Sequence, residues 1–354
     1  MARVRRVAAL PGEGIGPEVV DAALQVLRRA AEICGSRLEI ERAPFGKDAY
    51  RELGSYFPET TAEVCRRSDG ILLGAVERGG LLELRKHFDF FANLRPVRAR
   101  PCLAAAAGLP AEKVRDLDIL FVRELTSGLP FGESGRGEDA RGPFGFHTML
   151  YHDHEVRRVV RVALEHASRR RRFLTVAHKQ NALPCIPWCE LAAEEAAAFP
   201  DVRVEPMLVD TLAMTLVEDP LRFDVIVSEN LTGDWLSSLG AGLIGTIGVL
   251  PSASLNAEGF GLYEPIHGTA PEIAGRGIAN PIGAIGSVVL MLRQWGEEGM
   301  AALVANAVER ILEAGWRTPD IAVGASVRRV STRGMTERIV AALDDGAAGA
   351  RANP

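Results

Sequence analysis

The 354-residue sequence lacks several features that define common classes of protein. It has no run of about 18 apolar residues free of glycine and charge, so we expect no membrane span. Its five cysteines include no C-x-x-C pair, which disfavours a zinc site and favours free thiols in a reducing cytoplasm. Its formal net charge of -5 leaves no basic excess to neutralise phosphates, so we expect no nucleic-acid partner. The 47% hydrophobic content predicts a well-packed globular protein of about two domains.

Lysine is also scarce, since only four of the 41 basic residues are lysines. One of them, Lys179, lies in the stretch TVAHKQNALP, just after the apolar run Phe173–Ala177. Lysine is the basic side chain whose pKa shifts readily on burial, so a lysine at a strand end suits a general base. An ordinary loop lysine is the alternative.

Strand-like and helix-like segments alternate along the chain, which predicts an α/β fold with a largely parallel sheet. The clearest predicted strands are Val4–Leu10, Leu38–Arg42, Gly70–Leu73, Asp118–Val122, Phe173–Ala177, Val202–Pro206 and Phe223–Ser228. The clearest predicted helices are Glu155–Arg170, Pro187–Phe199 and Leu208–Glu218. Residues Pro281–Trp295 are apolar on nearly every side, which predicts a buried helix.

A glycine-rich stretch, AALPGEGIGPEVV, follows the first predicted strand and precedes a helix. That context is typical of a dinucleotide-binding turn, whose fingerprint is G-x-G-x-x-G. Here Pro17 stands where the third glycine belongs, and proline lacks the backbone donor that a pyrophosphate would need. The spacing therefore disfavours a Rossmann phosphate loop.

Charged residues in short, distinctive contexts are candidates for a functional site. Arg85, Arg95 and Arg123 carry the guanidinium group that binds carboxylates through paired hydrogen bonds. Asp210 and Asp234 offer the hard oxygen ligands that suit Mg²⁺ or Mn²⁺. Solvated surface positions for the arginines, and helix caps or turns for the aspartates, are the alternatives.

A further candidate is the segment 262–285, LYEPIHGTAPEIAGRGIANPIGAI, which is dense in glycine and proline. Residues His267–Glu272 offer backbone donors and one carboxylate, which would suit an adenosine group.

Taken in order, these segments resemble the β-decarboxylating dehydrogenases of the isopropylmalate, isocitrate and homoisocitrate type, most of all the isopropylmalate type. The motifs that carry the resemblance are LPGEGIGPEVV, LLELRKHFDFFANLRP, RELTSG, FDVIVSENLTGDWLSS, LPSASL and YEPIHGTAPEIAGRGIANP. The resemblance implies a two-domain α/β fold of that family, not a Rossmann fold, with parallel-rich sheets flanked by helices. It also implies NAD- and metal-dependent oxidative decarboxylation of a 3-substituted malate.

The resemblance assigns roles to the candidate residues. The arginines that match the family's carboxylate-binding set are Arg85, Arg95 and Arg123. Lys179 matches the catalytic lysine that helps remove the hydroxyl proton, and Tyr151 matches the tyrosine that protonates the enolate carbon. Asp210 and Asp234 match ligands of Mg²⁺ or Mn²⁺. The residues that match the NAD site are His267, Gly268, Thr269, Ala270, Glu272 and Asn280.

The resemblance also implies how the chain is organised. An NAD-binding domain would comprise residues 1–97 plus 246–354. A second domain, residues 98–245, would carry the dimer contacts and the substrate and metal residues, with an intersubunit arm near 132–151. Because Lys179 and Asp210 match residues donated to the partner subunit's site, a homodimer with shared active sites is expected.

Three departures from the family pattern bear on the substrate and the metal. Ser238 stands where the family's GDxxSD motif has its second aspartate, which removes one negative charge from the metal site. His178 replaces the aspartate of the family's DKAN segment. In the loop that contacts the malate 3-substituent, Arg78 lies about where isopropylmalate enzymes carry an acidic residue, while Leu81 and Leu82 keep an apolar pair.

Two alternatives to an isopropylmalate-like substrate therefore stay open. One is the same reaction on a malate with an anionic arm, of the homoisocitrate, isocitrate or phosphonomethylmalate kind, in a secondary pathway. The other is a non-catalytic regulatory homologue.

Overall fold

The computed structural model describes residues 4–324 and 327–352. The strands are β1 (Val4–Gly12), β2 (Arg37–Arg42), β3 (Gly70–Ala75), β4 (Ala92–Arg98), β5 (Asp118–Glu124), β6 (Ser134–Asp139), β7 (Gly142–His147), β8 (Phe173–His178), β9 (Arg203–Leu208), β10 (Val225–Ser228), β11 (Pro251–Leu255), β12 (Gly261–Pro265), β13 (Trp316–Arg317) and β14 (Arg328–Arg329). The helices are α1 (Gly16–Cys34), α2 (Lys47–Leu53), α3 (Glu59–Arg66), α4 (Leu81–His87), α5 (Ala111–Val114), α6 (Asp153–Ser168), α7 (Trp188–Ala196), α8 (Val209–Glu218), α9 (Asn230–Ile244), α10 (Ile282–Gln294), α11 (Glu298–Glu313) and α12 (Thr332–Ala352).

One ten-stranded sheet forms the centre of the fold, in the order β2-β1-β3-β12-β11-β4-β5-β10-β8-β9. The strands from β2 to β12 run parallel, and so do the strands from β5 to β9. Between these two blocks, β11 and β4 run antiparallel to their neighbours. The predicted parallel-rich α/β fold is confirmed, and its antiparallel centre distinguishes it from a Rossmann sheet.

Two helices follow the apolar patterns read from the sequence. Helix α1 buries Val19, Val20, Ala23, Leu24 and Leu27, each at most 1% exposed, and it contacts β1, β3, α10, α11 and α12. Helix α10 is buried on several sides, as its nearly continuous apolar composition predicts. Both helices pack beneath the β1–β3–β12 block, so they fix the strands from which the glycine-rich turn and the segment after β12 emerge.

A separate hairpin stands outside the main sheet. Strands β6 and β7 pair antiparallel from Ser134↔His147 to Asp139↔Gly142 and are solvent-exposed almost throughout. Phe144 and Phe146 are 43% and 40% exposed on it. The hairpin occupies the segment in which an intersubunit arm is expected. Among the described helices, none is both long and apolar enough to span a membrane.

The glycine-rich turn after β1 uses its backbone donors within the protein. Glu13 N donates to Ala75 O at 2.7 Å, Ile15 N to Thr269 O at 2.9 Å, and Gly16 N to Glu13 O at 2.9 Å. Because these N–H groups already have partners, they are not available to a phosphate. The turn supports neighbouring segments, in agreement with the inference from Pro17.

Candidate active site

Three buried arginines converge at the antiparallel centre of the sheet. Arg95 lies on β4 and Arg123 on β5, and these two strands pair with each other. Arg95 is opposite Phe121, which is two residues before Arg123 on the same strand. Arg95 donates to Asp234 at 2.8 Å, and Arg123 forms an ion pair with the same carboxylate. Arg85, on α4, pairs with Glu264 of β12 at 2.9 Å. The arginines are only 6–7% exposed.

Some of the donors in this cluster have no partner. The three guanidinium groups make ion pairs with two carboxylates, Glu229 acts on Arg123 through space, and the Nε atoms of Arg85 and Arg95 are buried without a partner among the described residues. Burial, with repulsion from Arg95 and Arg85, lowers the pKa of Arg123 to about 9, so it remains cationic at neutral pH. Burial would raise the pKa of Asp234, but Arg123 and Arg95 hold that pKa below its ordinary value. The cluster is therefore built to receive an anionic ligand.

Tyr151 is connected to this cluster through Asn230. The Tyr151 hydroxyl accepts a hydrogen bond from Asn230 N at 2.9 Å, and the Asn230 side chain accepts from Arg123 Nη2 at 2.7 Å. The lack of a side chain at Gly128 leaves room for the phenol ring. A Cβ atom added at position 128 would lie 2.4 Å from the Tyr151 hydroxyl oxygen. Burial, with the nearby carboxylates Glu124 and Glu229, raises the pKa of Tyr151, which keeps its hydroxyl protonated.

Lys179 and Asp210 form a second group. They make an ion pair with each other where β8 ends and α8 begins. Both line a cavity of about 320 Å³ whose wall is largely apolar and includes Trp188 and Trp235. Among the described residues, this ion pair has no hydrogen bond or salt bridge to the arginine cluster. One chain therefore holds the predicted residues in two separate groups.

The donor chemistry suits a divalent metal ion, but one chain does not bring enough side-chain ligands together. Asp210 and Asp234 supply hard carboxylate oxygens. Within the described part of the chain, however, no group of three or more His, Cys, Asp or Glu side chains could hold a metal ion. Ser238 lies one helical turn after Asp234 on α9 and is exposed, so it adds a hydroxyl at most. Further donors would have to come from another chain or from water.

The segment after β12 contains a buried polar atom without a partner. His267 Nδ1 contacts Gly268 O at 2.9 Å, whereas its Nε2 is buried with no partner among the described residues. Burial lowers the pKa of His267, so the ring is neutral near pH 7. Asn280 donates to Asp320 at 3.0 Å, and Glu272 is exposed. An orphaned ring nitrogen, an exposed carboxylate and open backbone fit a cofactor such as NAD.

The loop before α4 and the first turn of α4 present a charged and an apolar side chain to solvent. Leu82 is 44% exposed, and Leu81 is half-buried against the smaller apolar cluster that includes Leu84. Arg78 is exposed, and its side chain has no hydrogen bond or ion pair among the described residues. The fold thus leaves Arg78 free to turn toward a ligand or away from it.

Four contacts add residues that sequence reasoning missed. Glu264 forms an ion pair with Arg85, and Ser237 Oγ accepts a hydrogen bond from Arg95 at 2.9 Å. Asn230 connects Tyr151 to Arg123 through hydrogen bonds. Asp320 accepts a hydrogen bond from Asn280. Glu264, Asn230 and Ser237 lie within the recognised motifs, which is the signal that could have found them. Asp320 lies outside those motifs.

The chain is similar to known proteins over nearly its whole length. Residues 6–339 match the family described as isocitrate/isopropylmalate dehydrogenase. A 3-isopropylmalate dehydrogenase of Heyndrickxia coagulans is 44% identical, over 97% of this chain and 98% of that protein. One of Methylococcus capsulatus is 45% identical, over 96% and 98%. The crystal structure of isocitrate dehydrogenase from Methylococcus capsulatus gives a TM-score of 0.86 at 30% identity, over 96% of this chain and 99% of that chain.

The unpartnered donors of the arginine cluster predict stabilisation by small dicarboxylates. A dicarboxylate such as malate should raise the melting temperature by a few degrees at saturating concentration, because it binds only the folded state. Arg123→Met should lose most of that rise, since it removes one of the buried guanidinium groups. Arg333→Met, at an exposed helix position, is the control and should keep it. An equal rise in both variants would contradict binding at the cluster.

Proposed function

The chain belongs to the isocitrate/isopropylmalate dehydrogenase family, and from this premise we propose that it oxidatively decarboxylates a 3-substituted malate of the 3-isopropylmalate type. The observation that carries the proposal is the cluster of Arg85, Arg95 and Arg123, whose buried, unpartnered guanidinium donors call for a ligand with carboxylates. The many 3-isopropylmalate dehydrogenases among its relatives support the substrate type.

The cofactors are NAD and a divalent metal ion, Mg²⁺ or Mn²⁺. When bound, the metal polarises the substrate's 2-hydroxyl group and NAD accepts the hydride. The protein's own residues hold the substrate and move protons. The arginines fix the malate carboxylates, Lys179 takes the hydroxyl proton, and Tyr151 returns a proton to the carbon that loses CO₂. The raised pKa of Tyr151 favours that role, because the phenol stays protonated until the carbanion forms.

The NAD site would comprise His267, Gly268, Thr269, Ala270, Glu272 and Asn280. An exposed carboxylate at Glu272 can accept a hydrogen bond from the adenosine 2′-hydroxyl and would repel a 2′-phosphate. This arrangement favours NAD over NADP.

Two copies of the chain would complete each site. The separation of the Lys179–Asp210 pair from the arginine cluster supports sites shared across a homodimer. Exposed apolar side chains on the segment 144–235 support the same assembly; they are Phe144, Phe146, Leu150, Leu183, Met214, Val217 and Trp235. The proposed domains, 1–97 plus 246–354 and 98–245, meet where the antiparallel strands β4 and β5 pair.

A malate with an anionic arm is the second candidate substrate, because Arg78 is exposed and interacts with the neighbouring Glu77 only through space, without a hydrogen bond or a close ion pair among the described residues. A charge-assisted contact would satisfy its guanidinium. Leu81 and Leu82 favour an alkyl arm, provided that Arg78 stays in solvent. The non-catalytic alternative rests only on Ser238.

The function is tested by following NADH formation from a panel of malates in the presence of Mn²⁺. We expect the highest kcat/KM for 3-isopropylmalate, and a higher kcat/KM with NAD than with NADP. A preference for a carboxylate or phosphonate arm that disappears in Arg78→Ala would identify the second candidate. No turnover of any malate, by a protein that still binds NADH, would favour the regulatory homologue.

Lys179→Ala and Tyr151→Phe should each lower kcat by about 10²–10⁴-fold, because each removes a proton-transferring group.

If the sites are shared, each chain's Tyr151 works with the partner's Lys179. Mixing the two inactive variants after reversible dissociation should then restore about a quarter of wild-type activity, since half of the dimers carry one intact site. Absence of recovery in dimers shown to have exchanged subunits would contradict shared sites.

Ser238→Asp should tighten Mn²⁺ binding, because it adds a carboxylate one turn from Asp234 on α9. The measurement is a direct metal titration of the dimer with substrate absent. Ser168→Asp, at an exposed position on α6, is the matched control and should leave the affinity unchanged. Unchanged or weaker binding by Ser238→Asp would place residue 238 outside the coordination sphere.

A further inference from the structure

The first turn of α1 holds the far end of the segment between β12 and α10. Glu18 Oε1 accepts hydrogen bonds from Ala279 N at 3.0 Å and from Thr332 Oγ1 at 2.6 Å. Thr332 Oγ1 also lies 2.7 Å from Ala279 O, and Thr332 N donates to Gly277 O at 2.9 Å. Ala279 and Thr332 are buried. A single carboxylate oxygen therefore fixes the backbone immediately before Asn280.

The glycine-rich turn holds the near end of the same segment. Ile15 N donates to Thr269 O at 2.9 Å, next to His267 and Gly268. Gly14 lies so close that an added Cβ would be 2.0 Å from Thr269 O, and its φ of +59° favours glycine. The contact therefore requires glycine for two reasons, the space and the backbone angle.

We propose that Gly14 and Glu18 are positioning residues that clamp the cofactor segment, residues 267–280, at its two ends. They would act by pre-organising the backbone that receives NAD, without contacting the substrate. A pre-organised loop binds its ligand more tightly, because less conformational entropy is lost on binding. The inference rests on the proposed NAD site.

The test measures NADH affinity by fluorescence titration together with both KM values. Glu18→Ala should weaken NADH binding and raise the KM for NAD by roughly tenfold, as expected for loss of hydrogen bonds to a charged group. The KM for the malate should stay within about twofold, because α1 does not carry the arginine cluster. Glu18→Gln keeps an oxygen that can accept from Ala279 N, so it should recover most of the NADH affinity. Glu32→Ala, on the exposed face of the same helix, should change neither KM.

Gly14→Ala provides an independent test with a close control. Gly35 ends α1 with a similar φ of +65°, but an added Cβ there would meet nothing within 4 Å. Both substitutions carry a comparable backbone cost, whereas only Gly14→Ala displaces Thr269. NADH affinity should fall in Gly14→Ala and stay near wild type in Gly35→Ala, with the melting temperature lowered in both.

Each other outcome contradicts a defined part of the inference. Wild-type NADH affinity in both Glu18→Ala and Gly14→Ala overturns the clamp and leaves the proposed function intact. Equal increases in both KM values would indicate general loosening of the fold, and would also overturn it. Failure of the wild-type protein to bind NADH would overturn the proposed NAD site and the clamp together.

Discussion

Three guanidinium groups buried close together at the antiparallel centre of the sheet constrain the structure around them. Burying like charges close together is costly, so Arg85, Arg95 and Arg123 require neighbouring anions. Asp234 and Glu264 supply two, and they come from elements far along the chain, α9 and β12. The fold must therefore bring α4, β4, β5, α9 and β12 together, and the guanidinium donors without a partner are left for a ligand.

The residues that would perform chemistry are distributed according to the same constraint. Tyr151 is tied to the cluster through Asn230, whereas Lys179 forms an ion pair with Asp210 in the wall of a largely apolar cavity. A lysine beside three buried arginines in one chain would add to their repulsion. In the proposed shared sites a partner subunit would supply the lysine, and the substrate's carboxylates would arrive with it, so the free chain would avoid that cost. The proposed assembly would then link dimer formation to substrate binding through electrostatics.

Much of the fold was predictable because its signals are local. Alternating strand and helix patterns identified the α/β class and seven of the fourteen described strands to within a few residues, as in Phe173–Ala177 for β8, together with helices such as α8 at Leu208–Glu218. Proline at position 17 was enough to disfavour a phosphate-binding turn, since it removes a donor whatever the surroundings. The hairpin β6–β7 was expected only as a segment with an intermolecular role, because its glycine-rich, polar sequence carries little strand pattern.

The sequence by itself determined the fold class, about half of the described strands, the family and the candidate side chains, because backbone propensity, apolar periodicity and motif spacing are properties of neighbouring residues. Only the tertiary structure decided which side chains meet. Arg85 and Glu264 are 179 residues apart, and Glu18 and Thr332 are 314 apart, so their contacts depend on strand order. That order is set by the global packing of α1 and α10 beneath the sheet, which no local pattern encodes. Because of the same packing, the glycine-rich stretch after β1, which resembles a phosphate loop, contacts and positions the segment that follows β12.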